Sequence, residues 1–69
     1  MIIKFNKKFY SLNAIKKSVK KYKGFASFKV KEKSNFIEVN IVNPKKEFEK
    51  IIKDEFSNYV LSEIKNENW

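Results

Sequence analysis

The sequence predicts a small two-layer α+β domain, in which a three-stranded antiparallel sheet is covered on one face by two helices. Two segments alternate apolar and polar residues, as strands with one buried face do. Two other segments repeat apolar residues at helical spacing. The chain has 69 residues, and because that is about half of a typical domain, we expect one domain spanning residues 1–69.

The predicted strands are a short run at residues 2–5 and two alternating segments at 25–31 and 36–42. The polar residues 33–35 between the last two predict a β-hairpin. A helix connects the first two strands, so the third strand is expected between them, giving the order 1-3-2 with two edge strands. The strand residues predicted to face the helices are Ala26, Phe28, Val30, Ile37, Val39 and Ile41.

The first helix is predicted over about residues 12–23, with Ser11 as its N-cap. Gly24 follows it and is predicted to be a left-handed C′ residue, a position that glycine favours. The apolar residues that define this helix are Leu12, Ile15, Val19 and Tyr22.

The last helix is predicted over about residues 44–65, with Asn43 as N-cap and Pro44 as its first residue. Tyr59 lies on its apolar stripe and is predicted to be a core residue, while residues 66–69 are expected to fray. The stripe consists of Phe48, Ile51, Ile52, Phe56, Tyr59 and Val60.

The composition argues against catalysis. The chain has no cysteine and no histidine, so the commonest metal ligand and the commonest general base are both missing. Its eight carboxylates form no recognisable catalytic or calcium-binding motif. A single glycine cannot build a glycine-rich phosphate loop. We therefore expect a protein that is not an enzyme and that has no cofactor and no metal site.

The charge is strongly asymmetric. All 16 basic residues are lysines, and residues 1–33 carry +10 whereas residues 34–69 carry −2. This asymmetry suggests an anionic partner. The alternative is a solvated lysine surface that keeps a small domain soluble. The candidate anion-binding residues, all on the first helix, are Lys16, Lys17, Lys20 and Lys21.

Nucleic-acid binding is an alternative function. Lys29 and Lys31 on a strand, together with aromatic residues such as Phe9, Tyr10 and Phe36, have the chemistry to contact phosphates and stack on bases. Lysine gives a point charge suited to non-specific phosphate contacts, whereas arginine provides bidentate recognition. Any such binding is expected to be weak and independent of sequence. A phage-type inhibitory interaction protein is a further alternative.

Two segments carry a resemblance to a known family. Residues 55–63, EFSNYVLSE, resemble the pattern LLNDYxLRE of the small HxsD family, with matches at Tyr59, Leu61 and Glu63. Residues 10–15 are similar to the YSLxAI run with which that family enters its first helix. The order of elements and the chain length are also similar. The positions that differ from the family pattern are Glu55, Phe56, Ser57, Asn58 and Ser62.

This resemblance implies a small accessory protein of the His-Xaa-Ser systems, in which radical-SAM enzymes modify ribosomally made peptides. Such a protein is an adaptor that binds the precursor peptide or the maturase and does no chemistry itself.

Two sets of residues are candidates for binding a protein or peptide partner. The first set lies on an edge strand, whose unpaired N–H and C=O groups suit an extended peptide. The second lies on the last helix around the off-stripe Leu61. Alternatively, the strand lysines protect the edge against aggregation and the helix residues are merely solvated. The two sets are Ser27, Lys29 and Lys31 on the strand, and Asn58, Leu61 and Glu63 on the helix.

The sequence has no apolar run near the ~20 residues of a membrane span. Residues 1–5 lack the apolar region of a signal peptide. We therefore expect a cytoplasmic protein with no membrane partner.

Overall fold

The structure is a computed structural model that describes residues 1–67, and its elements follow the predicted order. A short 3-10 helix, Lys46–Phe48, precedes the last α-helix. The strands are β1 (Ile2–Asn6), β2 (Ser27–Glu32) and β3 (Phe36–Val42), and the helices are α1 (Leu12–Tyr22) and α2 (Ile52–Glu67).

The sheet has the predicted topology. The three strands are antiparallel in the order β1-β3-β2, so β1 and β2 are the edges. Val39 in the central strand lies opposite Ile3 of β1 and Val30 of β2. Because side chains alternate along a strand, these three residues face the same side of the sheet. The α+β class and the strand order predicted from the sequence are confirmed.

The core lies between this face of the sheet and the two helices. The helices run antiparallel: the Ser11 hydroxyl donates to the Glu67 carboxylate over 2.8 Å at one end, and the Tyr22 and Tyr59 rings meet at the other with centroids 5.6 Å apart. The buried apolar residues are Phe5, Ala14, Ile15, Ala26, Ile37, Val39, Ile41, Ile52, Phe56 and Val60. The opposite face of the sheet is not covered by either helix and carries mostly polar residues, together with Ile2, Phe36 and Val42.

The start of α1 is as predicted and its end is not. Ser11 is the N-cap, and its hydroxyl accepts a hydrogen bond from the Ala14 N–H over 3.0 Å. Gly24 does not have a positive φ, so the predicted left-handed C′ glycine is wrong. Instead, the N–H of Phe25 donates to the Tyr22 carbonyl over 2.9 Å. This turn delays the second strand, which begins at Ser27 rather than at residue 25.

The predicted start of the last helix at Asn43 and Pro44 is also wrong. Asn43 has φ 50°, in the left-handed region that asparagine tolerates, whereas an N-cap is usually extended. Lys45 remains extended (φ −58°, ψ 139°) because its N–H donates to the Phe25 carbonyl over 2.8 Å. That bond ties the chain to the segment before β2. The 3-10 helix Lys46–Phe48 follows directly, and α2 begins at Ile52.

The apolar stripe of the last helix is only partly buried. Ile52, Phe56 and Val60 are core residues, as predicted, but Ile51 is 48% exposed. Tyr59, predicted as core, is half-buried against the Tyr22 ring. The helix continues to Glu67, so the predicted fraying at residues 66 and 67 is wrong, and residues 68–69 lie outside the described chain.

Candidate partner-binding site

The edge of β2 presents the backbone groups of alternate residues. The N–H of Lys33 donates to the Phe36 carbonyl over 2.8 Å, which makes these two residues a hydrogen-bonded pair at the end of the hairpin. In an antiparallel ladder, hydrogen-bonded and non-hydrogen-bonded pairs alternate. The N–H and C=O groups of Phe28, Val30 and Glu32 therefore point away from β3, toward the open edge.

Hydrogen bonds at β1 support the same alternation. Met1 and Ile41 exchange two backbone bonds, of 2.7 and 2.9 Å. Following the register, Ile41, Val39 and Ile37 direct their backbone groups to β1, and the residues between them direct theirs to β2. Among residues 1–67 no strand lies beyond β2, so its outward groups are available to an extended partner chain.

The side chains beside this edge are cationic. Ser27, Lys29 and Lys31 are all exposed on the sheet face that the helices leave open. Lys31 lies opposite Glu38, and Lys4 of β1 lies opposite the same glutamate from the other side. The open face thus carries three lysines around one carboxylate, a surface to which acidic side chains are attracted.

Lys4 was not among the sequence candidates. Its ammonium lies 5.1 Å from the centre of the Phe36 ring, within the range of a cation–π contact. The sequence could have indicated its position, because Lys4 lies between Ile3 and Phe5 in β1. Strand side chains alternate, so Lys4 faces the side of the sheet opposite to those two apolar residues.

An ion pair lies at the hairpin end of β2. The Lys7 ammonium lies 2.7 Å from the Glu32 carboxylate. The hydrogen bond and charge of Lys7 lower the pKa of Glu32, with a smaller contribution from the charge of Lys16. Burial acts in the opposite direction and does not overcome these effects. Glu32 is therefore held as a carboxylate beside two lysines.

The candidate anion-binding lysines of α1 form a separate surface. Lys16, Lys17, Lys20 and Lys21 are all exposed. They extend from the side of α1 away from the buried Ile15 and Ser18, hence on the helix layer. Lys29 and Lys31 point from the sheet layer. Lys20 and Lys21 therefore lie on a different layer of the domain from Lys29 and Lys31, whereas Lys16 is close enough to Glu32 of β2 for its charge to lower the pKa of that carboxyl.

The candidate residues of α2 do not join the strand candidates. Asn58 and Leu61 are exposed and Glu63 is half-buried, all on the helix layer. Leu61 and Glu63 are two positions apart, so they do not face the same side of the helix. Glu63 accepts a hydrogen bond from the Asn66 side chain over 3.3 Å. The structure gathers Ser27, Lys29 and Lys31 into one surface, and it places Asn58 and Leu61, three positions apart, on one face of α2 without Glu63.

A polar cleft at the hairpin end is a feature that the sequence did not indicate. It measures about 530 Å³ and lies between the loop after β1 and the hairpin turn. Next to it, Phe9 is 70% exposed, the most exposed large apolar side chain in the described chain. The residues lining the cleft are Asn6, Lys7, Lys8, Ser34 and Asn35.

Within residues 1–67, no group of three or more acidic side chains is close enough to hold a metal ion. No helix in the same range is long and apolar enough to cross a membrane. Comparisons with protein-family models, curated proteins and solved structures gave no match.

Proposed function

We propose that this protein is a non-enzymatic adaptor that binds an acidic peptide segment as an additional strand along β2. The observation that carries the proposal is the open edge of β2, where the outward backbone groups of Phe28, Val30 and Glu32 alternate with the exposed Lys29 and Lys31. Backbone pairing provides affinity for any extended chain, and the lysines select an acidic one.

The resemblance to the HxsD family gives this proposal its biological setting. In that setting the partner is the precursor peptide or the radical-SAM maturase of a peptide-modification system, and the adaptor works in the cytoplasm. The docked segment would place acidic side chains on the open sheet face and apolar ones toward the helices, because strand side chains alternate. The competing explanation is that Lys29 and Lys31 only prevent edge-to-edge aggregation.

The test is an NMR titration with a six-residue peptide that alternates glutamate and valine. We expect amide shifts to run along residues 27–32. The double variant Lys29→Ser/Lys31→Ser should weaken binding about fivefold, since each exposed charge contributes about 0.2–1 kcal/mol. The matched control Lys20→Ser/Lys21→Ser removes the same charge from α1 and should leave the affinity nearly unchanged.

Other results would contradict the adaptor mechanism. If a peptide with lysine in place of glutamate binds as well, the basic face does not select its partner. If the shifts are confined to residues 55–64, the partner docks on α2 instead of the β2 edge.

The exposed Phe9 favours a second candidate function, the binding of single-stranded nucleic acid. Its ring lies beside Lys7 and Lys8, an arrangement suited to stacking on a base next to phosphate contacts. Affinity for a labelled oligonucleotide should then fall steeply with salt through counterion release. Phe9→Leu should weaken this binding, whereas sub-micromolar affinity at physiological salt would favour this function over the adaptor.

Changing four lysines of α1 to serine tests whether the helix layer contributes to that binding. If these lysines contact phosphates, the change should reduce the slope of the logarithm of the affinity against the logarithm of the salt concentration by several units. An unchanged slope would confine the contacts to the cleft beside Phe9. The four lysines are Lys16, Lys17, Lys20 and Lys21.

A further inference from the structure

A second cavity lies on the side of the molecule where α1 ends and α2 begins. It measures about 220 Å³. This is below the roughly 300–1,000 Å³ of pockets for drug-sized ligands, so its size suits a single side chain. The lining residues are Tyr22, Phe25, Phe48, Ile51, Ile52 and Glu55.

The walls of the cavity are built from packed aromatic rings. The Phe25 and Phe48 rings meet edge to face with centroids 4.6 Å apart, and Tyr22 lies 5.8 Å from Phe25. The hydrogen bond from the Lys45 N–H to the Phe25 carbonyl, 2.8 Å long, fixes the segment that carries these contacts. At the rim, Ile51 is 48% exposed although it belongs to the apolar stripe of the sequence.

Glu55 is the one charged residue among the six that line the cavity. The pKa of Tyr22 is raised, first by burial and then by the negative charge of Glu55, with Tyr59 adding to the effect. The Glu55 carboxylate therefore acts on the cavity wall itself. The rest of the segment is balanced in charge, because residues 45–55 contain four lysines and four acidic residues. The carboxylate that distinguishes the cavity is therefore that of Glu55.

We propose that this cavity binds a lysine side chain of a partner protein. A lysine combines an apolar four-carbon stem with a cationic head. The stem matches the walls formed by Phe25, Phe48 and Ile51, and the head matches the carboxylate of Glu55 and the aromatic rings. A neutral side chain matches the apolar walls but not the carboxylate of Glu55, and an acidic side chain is repelled by that carboxylate. The site lies apart from the open sheet face, so this inference goes beyond the proposed function and does not depend on it.

The probe is a five-residue glycine-serine peptide with lysine at its centre, compared with the same peptide carrying norleucine, which keeps the stem and lacks the charge. Titrations are followed by NMR at the Ile51 methyl groups and the Tyr22 ring. We expect millimolar binding of the lysine peptide and at least threefold weaker binding of the norleucine peptide. Equal affinities would overturn the proposal, as would an absence of shifts at both residues.

Variants locate the charge that is recognised. Glu55→Gln should weaken binding of the lysine peptide about threefold, in the range of one exposed ion pair. Asp54→Asn removes the same charge from the adjacent residue, which does not line the cavity, and should leave the affinity unchanged. Equal losses in the two variants would mean that only the general field attracts the peptide, which contradicts a site at Glu55.

The ionisation of Tyr22 provides a readout that a structural effect alone would not produce. A peptide with trimethyllysine keeps its positive charge at high pH, so it can be present while Tyr22 titrates. Its bound charge should offset that of Glu55 and lower the pKa of Tyr22 toward its ordinary value. An unchanged pKa under saturating peptide would place the cation elsewhere and overturn the proposal.

Discussion

Phe56 has the largest fully buried side chain among residues 1–67. Its side chain is fully buried, and its ring meets those of Phe28, Tyr22 and Phe5 at centroid distances of 4.9, 6.2 and 6.3 Å. The change Phe56→Leu keeps an apolar side chain but removes all three aromatic contacts. Such contacts contribute about 0.5–1.5 kcal/mol each beyond their buried area, so we expect a loss of about 2 kcal/mol in the free energy of unfolding.

This loss is measurable because the domain should remain folded. At about 0.05–0.15 kcal/mol per residue, a chain of 69 residues has a stability of roughly 3–10 kcal/mol. Urea denaturation followed by circular dichroism gives the free energy and its slope. Phe9→Leu is the matched control: Phe9 is 70% exposed, and its loss should be below about 0.5 kcal/mol. Similar losses in the two variants would refute the packing described for Phe56.

Two further predictions concern residues at the edge of the core and at the surface. Tyr59→Ala should cost about 2 kcal/mol by urea denaturation, because the ring is half-buried against Tyr22; a loss below about 1 kcal/mol would indicate that Tyr59 contributes little to packing. The pKa of Glu32 is lowered by Lys7, so the ion pair stabilises the protein above the unfolded-state pKa of the carboxyl and this contribution is lost as the pH falls through the folded-state value. In acid denaturation, Glu32→Gln should therefore be less stable than the parent protein near neutral pH, and the difference should disappear as the pH falls through the folded-state pKa of Glu32, whereas a difference that persists in acid would contradict the ion pair.

The alternation of side chains made the sheet predictable from the sequence. Ile37, Val39 and Ile41 alternate with the polar Glu38 and Asn40, and this alternation fixed which face of β3 is buried. The exact pairing with β2 was not predicted, because Lys33, expected in the turn, is hydrogen-bonded to Phe36. Ser11 was predictable for a similar reason, since N-capping depends on a local contact with Ala14. Interactions between residues that are close in the sequence can therefore be predicted from the sequence.

Contacts between distant segments were not predictable in this way. Asn43 and Pro44 have the local chemistry of a helix start, but the bond between Lys45 and the Phe25 carbonyl holds the chain extended there. The cavity near α2 combines Tyr22 and Phe25 with Glu55, about thirty residues later in the chain. No local pattern marks such a site, because it exists only after the two helices have packed together.

Likewise, the lysines of α1 and those of β2 are separated only in the folded protein, because the helices and the sheet form different layers. In the sequence, the lysines of α1 and those of β2 form one cationic half of the chain. Folding directs Lys20 and Lys21 outward from the helices and Lys29 and Lys31 outward from the sheet. Net charge alone carries no information about this division.

Hydrogen exchange along β2 is the most direct test of strand addition at its edge. In the free protein, the amides of Lys29 and Lys31 should exchange slowly because they are bonded to β3, while those of Phe28, Val30 and Glu32 should exchange fast. Saturation with the peptide that alternates glutamate and valine should slow the fast set selectively, since an added strand bonds to those amides. Binding that leaves Phe28, Val30 and Glu32 in fast exchange would contradict the account.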